Sequence, residues 1–345
     1  MKGGFTYRFF GYFPGWRQAY RMPAPAIRTA APAAASPPVV GPTLEALYAK
    51  AATSASNASP SVAEAILTGS RENRDMPAVS QALLDFANYH KAPRAPGFEI
   101  VETPRYRVVL QPDFPIPGPN GVTYVRCRPD EAEEVIDEVH ALVTPRHIPI
   151  MWTLDPETEP ANFPDYLAAR GIHPDPHGPT VEVMALPIDA DVEAPEVEGL
   201  ELKDALADAE TFTRSDAVNA EAFASRMLDY SAEAAAQRER RRHNQLAAAN
   251  RRVILATIDG EPAGAAGISL FPPAGAIING GAVRSKFRGR GVYRTMVAAR
   301  LRMAREAGVT GGLAVWGGAM SAPILARLGF ETVGSRGFYL DTSTA

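Results

Sequence analysis

The segment from Val283 to Tyr293 constrains the fold most, because it joins a strand to an amphipathic helix through a turn rich in glycine and arginine. Gly289 and Gly291 let the backbone curl and approach a ligand without obstruction by Cβ atoms. A helix start exposes N–H groups and a partial positive charge, which together form a phosphate site. Three arginines surround the turn and favour phosphate, namely Arg288, Arg290 and Arg294. The segment has neither Gly-Lys-Ser/Thr nor Gly-x-Gly-x-x-Gly, which excludes a nucleotide P-loop and a Rossmann site.

The elements around this turn follow a recognisable order. Helices are predicted between Asp204 and Asn250, and two apolar strands then flank Asp259-Gly260, a dipeptide typical of a type I′ hairpin turn. After the turn, a helix is predicted from about Gly291 to Ala307, with Gly308 ending it. The order predicts a sheet with helices packed on it.

The first half of the chain repeats this order. Each half has a strand that ends in tryptophan, Trp152 or Trp316, and then a short helix that closes on an arginine and a glycine, Arg170 and Gly171 or Arg327 and Gly329. The similar spacing predicts an internal duplication of about 150 residues. The alternative is two unrelated α/β segments that share common helix ends.

Two motifs in the second half resemble those of the GNAT family of acyl-CoA-dependent acetyltransferases. The run from Arg288 to Tyr293 is similar to the family signature Arg/Gln-x-x-Gly-x-Gly/Ala, and Leu328-Gly329-Phe330 is similar to the ending of a family helix. The resemblance covers about residues 199–341. Ser285 replaces a usual proline, and Tyr293 replaces the last small residue, so its side chain must turn away from the pyrophosphate.

The resemblance implies an α/β (α+β) fold of two tandem GNAT-like domains, each a mixed, mostly antiparallel twisted sheet flanked by helices. Four ranges describe the predicted organisation: a disordered Ala/Pro-rich leader (1–45), a degenerate GNAT-like domain without the cofactor loop (46–190), a linker (191–199) and an acetyltransferase domain (200–345).

The resemblance also implies acetyl-CoA as the co-substrate. The pantetheine would pair with the strand before the turn, where Gly280-Gly281 suits a β-bulge, and the pyrophosphate would bind the amides of the turn. The predicted cofactor-binding residues are Gly281, Ala282, Val283, Arg288, Gly289, Arg290, Gly291, Val292, Tyr293 and Arg294. An acceptor amine would then attack directly, without a covalent enzyme intermediate.

The general acid is not the tyrosine that many family members use, because Leu325 stands at that position. Tyr339 and Ser321 are the candidate catalytic residues, and the alternatives are a half-buried strand aromatic and a helix cap, respectively. Glu331 is a candidate base, although water alone can suffice.

The corresponding turn of the first half, residues 125–134, has no glycine. Four carboxylates stand at the start of its helix, where they satisfy the amides and repel a pyrophosphate: Asp130, Glu131, Glu133 and Glu134. We therefore expect this half to have lost the cofactor and to serve packing or acceptor binding.

Composition excludes several other classes. The net charge of -4 argues against a nucleic-acid binder, and no apolar run approaches the roughly 18 residues of a membrane span. A single cysteine, Cys127, excludes an intrachain disulfide, and six scattered histidines give little support for a metal site. We expect a cytoplasmic protein without a metal, a membrane or a nucleic-acid partner. The acid-free leader is predicted to be a tail, with an organelle transit peptide as the alternative.

The predicted activity is transfer of an acetyl group from acetyl-CoA to a primary amine of a small molecule or peptide. One alternative is a non-catalytic acyl-CoA-binding sensor, which the leucine at position 325 favours. Another is an interaction module whose turn binds a different phosphate ligand. The sequence does not identify the acceptor or the oligomeric state.

Overall fold

A mixed sheet of twelve strands runs through the part of the chain that the computed structural model describes, residues 78–224 and 228–343 without the side chains of residues 223 and 224. The strands are β1 (Glu99–Glu102), β2 (Arg107–Leu110), β3 (Gly121–Thr123), β4 (Ile150–Leu154), β5 (His173–Pro174), β6 (Thr180–Pro187), β7 (Leu200–Asp204), β8 (Arg251–Ile258), β9 (Glu261–Phe271), β10 (Gly275–Val283), β11 (Gly312–Gly317) and β12 (Glu331–Asp341). The described helices are α1 (Gln81–Tyr89), α2 (Ala132–Val143), α3 (Phe163–Ala169), α4 (Ala209–Ala224), α5 (Ala232–Ala247), α6 (Val292–Glu306) and α7 (Ala322–Arg327). The predicted leader lies outside the described residues.

The strand order is β1-β2-β3-β4-β12-β6-β11-β10-β9-β8-β7, and β5 pairs with β12. Among the described strands, only the β3–β4 and β10–β11 pairs are parallel, so the predicted mixed, mostly antiparallel sheet with flanking helices is confirmed. The described strands form one continuous path rather than two separate sheets.

The two halves meet by exchanging their last strands. Strand β6 of the first half lies between β11 and β12 of the second, and β12 pairs with β4 of the first half. Because each exchanged strand is hydrogen-bonded to the other half, the two halves share one sheet. The domain boundaries given above stay a prediction.

Helices cover the two faces of this sheet. One face packs against α2, α3, α6 and α7, with Trp152 buried in the first half and Met184 and Leu313 in the second. The opposite face packs against α1 through Leu83 and Phe86, and against α4 through a separate apolar cluster. No helix in the described part of the chain combines the length and the hydropathy that crossing a bilayer requires.

Several local predictions are confirmed. Asp259 and Gly260 both have positive φ, at 50° and 78°, as a type I′ turn requires. The helix predicted to start near Gly291 spans Val292–Glu306, and Gly308 follows it with φ 80°. These features depend on local backbone chemistry, which is why the sequence predicts them.

Candidate functional site

A cleft opens between the two parallel strands of the second half. Strands β10 and β11 pair only at Ala276–Leu313 and Ile277–Ala314, near their amino ends, and no further pairing joins them in the described residues. Beyond this point the register of β10 with β9 shifts between Asn279 and Ala282. The predicted bulge at Gly280-Gly281 is therefore confirmed, and Gly280 has φ 59°, which favours glycine.

The turn after β10 presents backbone amides at the end of this cleft. Gly289 and Gly291 have φ 74° and 89°, and α6 begins at Val292. No hydrogen bond from a backbone N–H of residues 289–294 to an acceptor in the described residues is found. This row of amides at a helix start is suited to a phosphate.

Of the three arginines, Arg288 braces the turn itself. Its Nε donates to the carbonyl of Val283 at 3.0 Å, and burial lowers its pKa, an effect that Glu221 opposes. Arg290 is exposed, with its guanidinium 5.7 Å from the centroid of the Phe287 ring. Arg290 is thus open to a ligand from solvent.

The predicted linker contacts the turn from outside. A Cβ atom on Gly291 would lie 2.6 Å from Cγ of Pro195, so only glycine fits there. The guanidinium of Arg294 lies 3.5 Å from the carboxylate of Glu193. Gly289 differs, because a Cβ atom there would meet nothing within 4 Å. Gly291 therefore accommodates the linker, whereas Gly289 faces open space.

Tyr293 is directed into the core. Its ring packs on the apolar clusters under α6, and a Cβ atom on Gly281 would lie 2.9 Å from Cε2 of this ring. Ala282 is buried on the opposite side of the sheet, among the residues that α4 covers. The two neighbouring residues of the strand thus face different sides of the sheet.

The structure brings only one of the two candidate catalytic residues near the cleft. Ser321 lies at the start of α7, just after β11, and its hydroxyl donates to the carbonyl of Gly318 at 3.3 Å. Tyr339 lies opposite Trp152 and packs on the first-half core. Because β6 and β11 separate β12 from β10, the strand exchange keeps Tyr339 away from the turn.

The positions considered for a general acid and a general base, Leu325 and Glu331, lie in different surroundings. Leu325 is fully buried in the core, so that position offers no acid. Glu331 is exposed at the start of β12, where it pairs in register with Ala185. Met320 and Ile324, at the β11 edge of the cleft, are exposed apolar residues of the kind that border a ligand groove.

Sequence reasoning missed three polar residues around the bulge. Arg300 is 1% exposed, because it lies one helical turn after Met296 on the buried face of α6. The sequence carries a signal for this, since residues four apart on a helix share a face. Asn279 is exposed immediately before Gly280. Arg251 reaches this region across β9, which only the strand register reveals.

In the first half, the backbone of Glu159 occupies the corresponding gap between the parallel strands β3 and β4. Strands β3 and β4 also pair at only two positions, and Tyr124 then has φ 56°. Glu159 enters the gap as an added strand would, because its N–H donates to Val125 at 3.1 Å and its carbonyl accepts from Cys127 at 3.0 Å. The Glu131 carboxylate caps the turn by accepting from the N–H of Arg128 at 2.9 Å.

Part of the second half matches a known protein family. Residues 219–330 match the family model described as Acetyltransferase (GNAT) family. No protein in the curated comparison matches the chain.

Similar solved structures include the following three. A conserved protein of unknown function from Staphylococcus epidermidis is 12% identical, with 76% of this chain and 99% of that chain covered and a TM-score of 0.56, a likeness of fold. A GCN5-related N-acetyltransferase from Kribbella flavida is 16% identical over 71% of this chain and 90% of that one, with a TM-score of 0.47. A tandem GNAT protein from the clavulanic acid biosynthesis pathway is 17% identical over 81% and 91%, with a TM-score of 0.49.

Proposed function

From the match of residues 219–330 to the GNAT acetyltransferase family, we propose that the protein transfers an acetyl group from acetyl-CoA to a primary amine of a small molecule or peptide. One observation carries the proposal. The parallel strands β10 and β11 separate at a bulge, and the open strand leads directly into a turn whose amides have no acceptor in the described residues.

The residues of the cleft suit acetyl-CoA. The pyrophosphate binds the amides between Gly289 and Arg294, with Arg290 contributing charge. The pantetheine lies along the open edge of β10 and hydrogen-bonds it as an added strand. The exposed side chains of Met320 and Ile324 offer apolar contact from the other edge of the cleft.

The chemistry is direct transfer. The amine nitrogen attacks the thioester carbonyl and loses a proton, the new C–N bond forms, the C–S bond breaks, and CoA leaves as a thiolate that takes up a proton. A backbone N–H at the bulge stabilises the oxyanion that develops on the carbonyl. Much of the rate comes from holding the two substrates in line, so the cleft needs no protein nucleophile.

The second candidate function is an acyl-CoA-binding sensor without turnover. The burial of Leu325 favours it, because the position at which many family members carry an acid is closed and apolar. Release of the CoA thiol in a screen of amine acceptors separates the two functions. Thiol release that depends on an amine identifies the enzyme.

The binding test is a calorimetric titration of acetyl-CoA into wild type, Gly289→Asp and Gly289→Asn. Both substitutions fit, because position 289 is open and asparagine and aspartate tolerate its positive φ. The two side chains have nearly the same shape, but only aspartate places a negative charge among the amides. We expect one site per chain in wild type and an affinity in Gly289→Asp at least about tenfold below that in Gly289→Asn.

Three results would contradict the proposal. Absence of binding to wild type removes the acetyltransferase function. Equal affinities in the aspartate and asparagine variants place the pyrophosphate elsewhere. Equal affinity for acetyl-CoA and for ADP indicates instead a turn that binds another phosphate ligand.

A further inference from the structure

Two polar side chains converge above the bulge, on the sheet face that α1 and α4 cover. A Cβ atom on Gly267 of β9 would lie 2.6 Å from Oδ1 of Asn279 and 2.9 Å from Cζ of Arg251. Arg251 and Asn279 therefore meet over a strand position that has no side chain. Asn279 is exposed, and Arg251 is half-buried, so both are open to a small ligand.

Within the described part of the chain, no acidic side chain pairs with Arg251. Its guanidinium donates to the hydroxyl of Ser269 at 3.0 Å, and it forms no salt bridge within the described residues. Burial, reinforced by the positive charge of Arg300, lowers the pKa of Arg251 to about 10. A guanidinium in this setting gains from an anionic partner, because desolvation strengthens a charge-assisted hydrogen bond.

Arg300 adds to the same positive region from below the sheet. It is 1% exposed, its Nε donates to the carbonyl of Met296 at 3.0 Å, and its Nη1 donates to the carbonyl of Gly267 at 3.4 Å. Burial lowers the pKa of Arg300, and the neighbouring Tyr293 partly offsets this lowering. Two guanidinium groups thus lie on opposite sides of the strand that carries Gly267, next to the mouth of the cleft.

From this geometry we infer that the acceptor amine carries a carboxylate, which Arg251 binds with Asn279 beside it. The inference rests on the proposed function, since the bulge is the point at which the amine meets the thioester. A guanidinium fork matches a carboxylate in two parallel hydrogen bonds. A Cβ atom at Gly267 would collide with both side chains, so the glycine is what lets Arg251 and Asn279 meet there. The acceptor class is therefore an amino acid or another amine with an acidic group.

The test is ligand-observed NMR on the full chain, with the standard amino acids and their amides as probes, each recorded with and without CoA. Wild type is compared with Arg251→Gln, Arg251→Lys and the control Arg252→Gln. Arg252 is the adjacent, exposed residue, and it bonds only to backbone carbonyls in the described residues. We expect at least one amino acid to bind about tenfold more tightly than its amide in wild type and in Arg252→Gln. The preference should be lost in Arg251→Gln and partly kept in Arg251→Lys.

Three outcomes would overturn the inference. One is that no amino acid binds better than its amide. Another is that the preference survives in Arg251→Gln. The third is that Arg251→Gln weakens binding of succinyl-CoA but of no amino acid, which would assign the carboxylate to the acyl donor.

The acetyl-CoA titration keeps this inference separate from the proposed function. Wild type that binds acetyl-CoA but shows no carboxylate preference contradicts the inference alone. Wild type that binds no acetyl-CoA contradicts the proposed function, whatever the amino acid probes show.

Discussion

Both halves have a gap between two parallel strands, but only the gap of the first half is occupied by another described segment of the chain. In each half, two parallel strands pair at only two positions and then separate. In the first half, the backbone of Glu159 hydrogen-bonds into the gap, and Glu131 caps the following turn. In the second half, glycines and Arg290 border the gap, and no described segment pairs into it. The difference teaches that strand separation creates the cleft, whereas the occupant and the charge of the turn decide what it binds.

The largest effect is expected at β12, the strand of the second half that pairs with β4 and β6 of the first half. Asp341 ends β12 and is buried in the first half, where it accepts hydrogen bonds from His140 at 2.8 Å and from Trp152 at 3.3 Å. We expect Asp341→Asn to lower the free energy of unfolding by about 2–3 kcal/mol, because the buried donors of His140 and Trp152 lose their charged acceptor. Urea denaturation measures it. Asp137→Asn, in an exposed ion pair with Arg170, should change little.

The same carboxylate predicts a pH dependence. Burial raises the pKa of Asp341, but hydrogen bonds from His140, Ser343 and Trp152 outweigh burial and hold the pKa below its ordinary value of 3.8. A lowered folded-state pKa gives stability that is present above the unfolded-state pKa and is lost as the pH falls through the folded-state pKa. The stability difference between wild type and Asp341→Asn should therefore be constant at neutral pH and shrink below about pH 4. A difference that grows with acidification would contradict this account.

The next effect separates the two glycines of the turn. Gly289→Ala and Gly291→Ala both place a Cβ atom at positive φ, which costs about 1–2 kcal/mol. Only Gly291→Ala also collides with Pro195 of the linker, which adds about 1 kcal/mol. Urea unfolding of the two variants measures the excess. Equal losses would show that the linker does not press on the turn.

A smaller effect comes from making the second turn resemble the first. Arg290→Glu places a carboxylate at the start of α6, where the first half has its acids, and Arg290→Gln removes the charge alone. We expect acetyl-CoA to bind Arg290→Glu about tenfold more weakly than Arg290→Gln, because the carboxylate repels the pyrophosphate. Calorimetry measures both variants, and equal affinities would mean that residue 290 does not face the ligand.

Local chemistry explains which features the sequence predicted. The hairpin at Asp259-Gly260, the bulge at Gly280-Gly281 and the start of α6 depend on residues that adjoin in the chain. The strand exchange depends on pairings between distant segments, for which the sequence carries no local signal, so nothing in it shows that Tyr339 pairs beside Trp152. Glu159 entering the first gap and Arg251 reaching the second arise from the same long-range register.

Either the Glu131 carboxylate or the inserted backbone of Glu159 could exclude acetyl-CoA from the first half. Glu131→Gln removes the capping carboxylate, and Glu133→Gln at a neighbouring exposed site is the control. Because Glu159 still bonds to Val125 and Cys127, we expect both variants, like wild type, to bind one acetyl-CoA per chain. Titration with labelled acetyl-CoA counts the sites. A second site in Glu131→Gln alone would show that the acids, and not the inserted segment, exclude the cofactor, and the two gaps would then differ in charge rather than in shape.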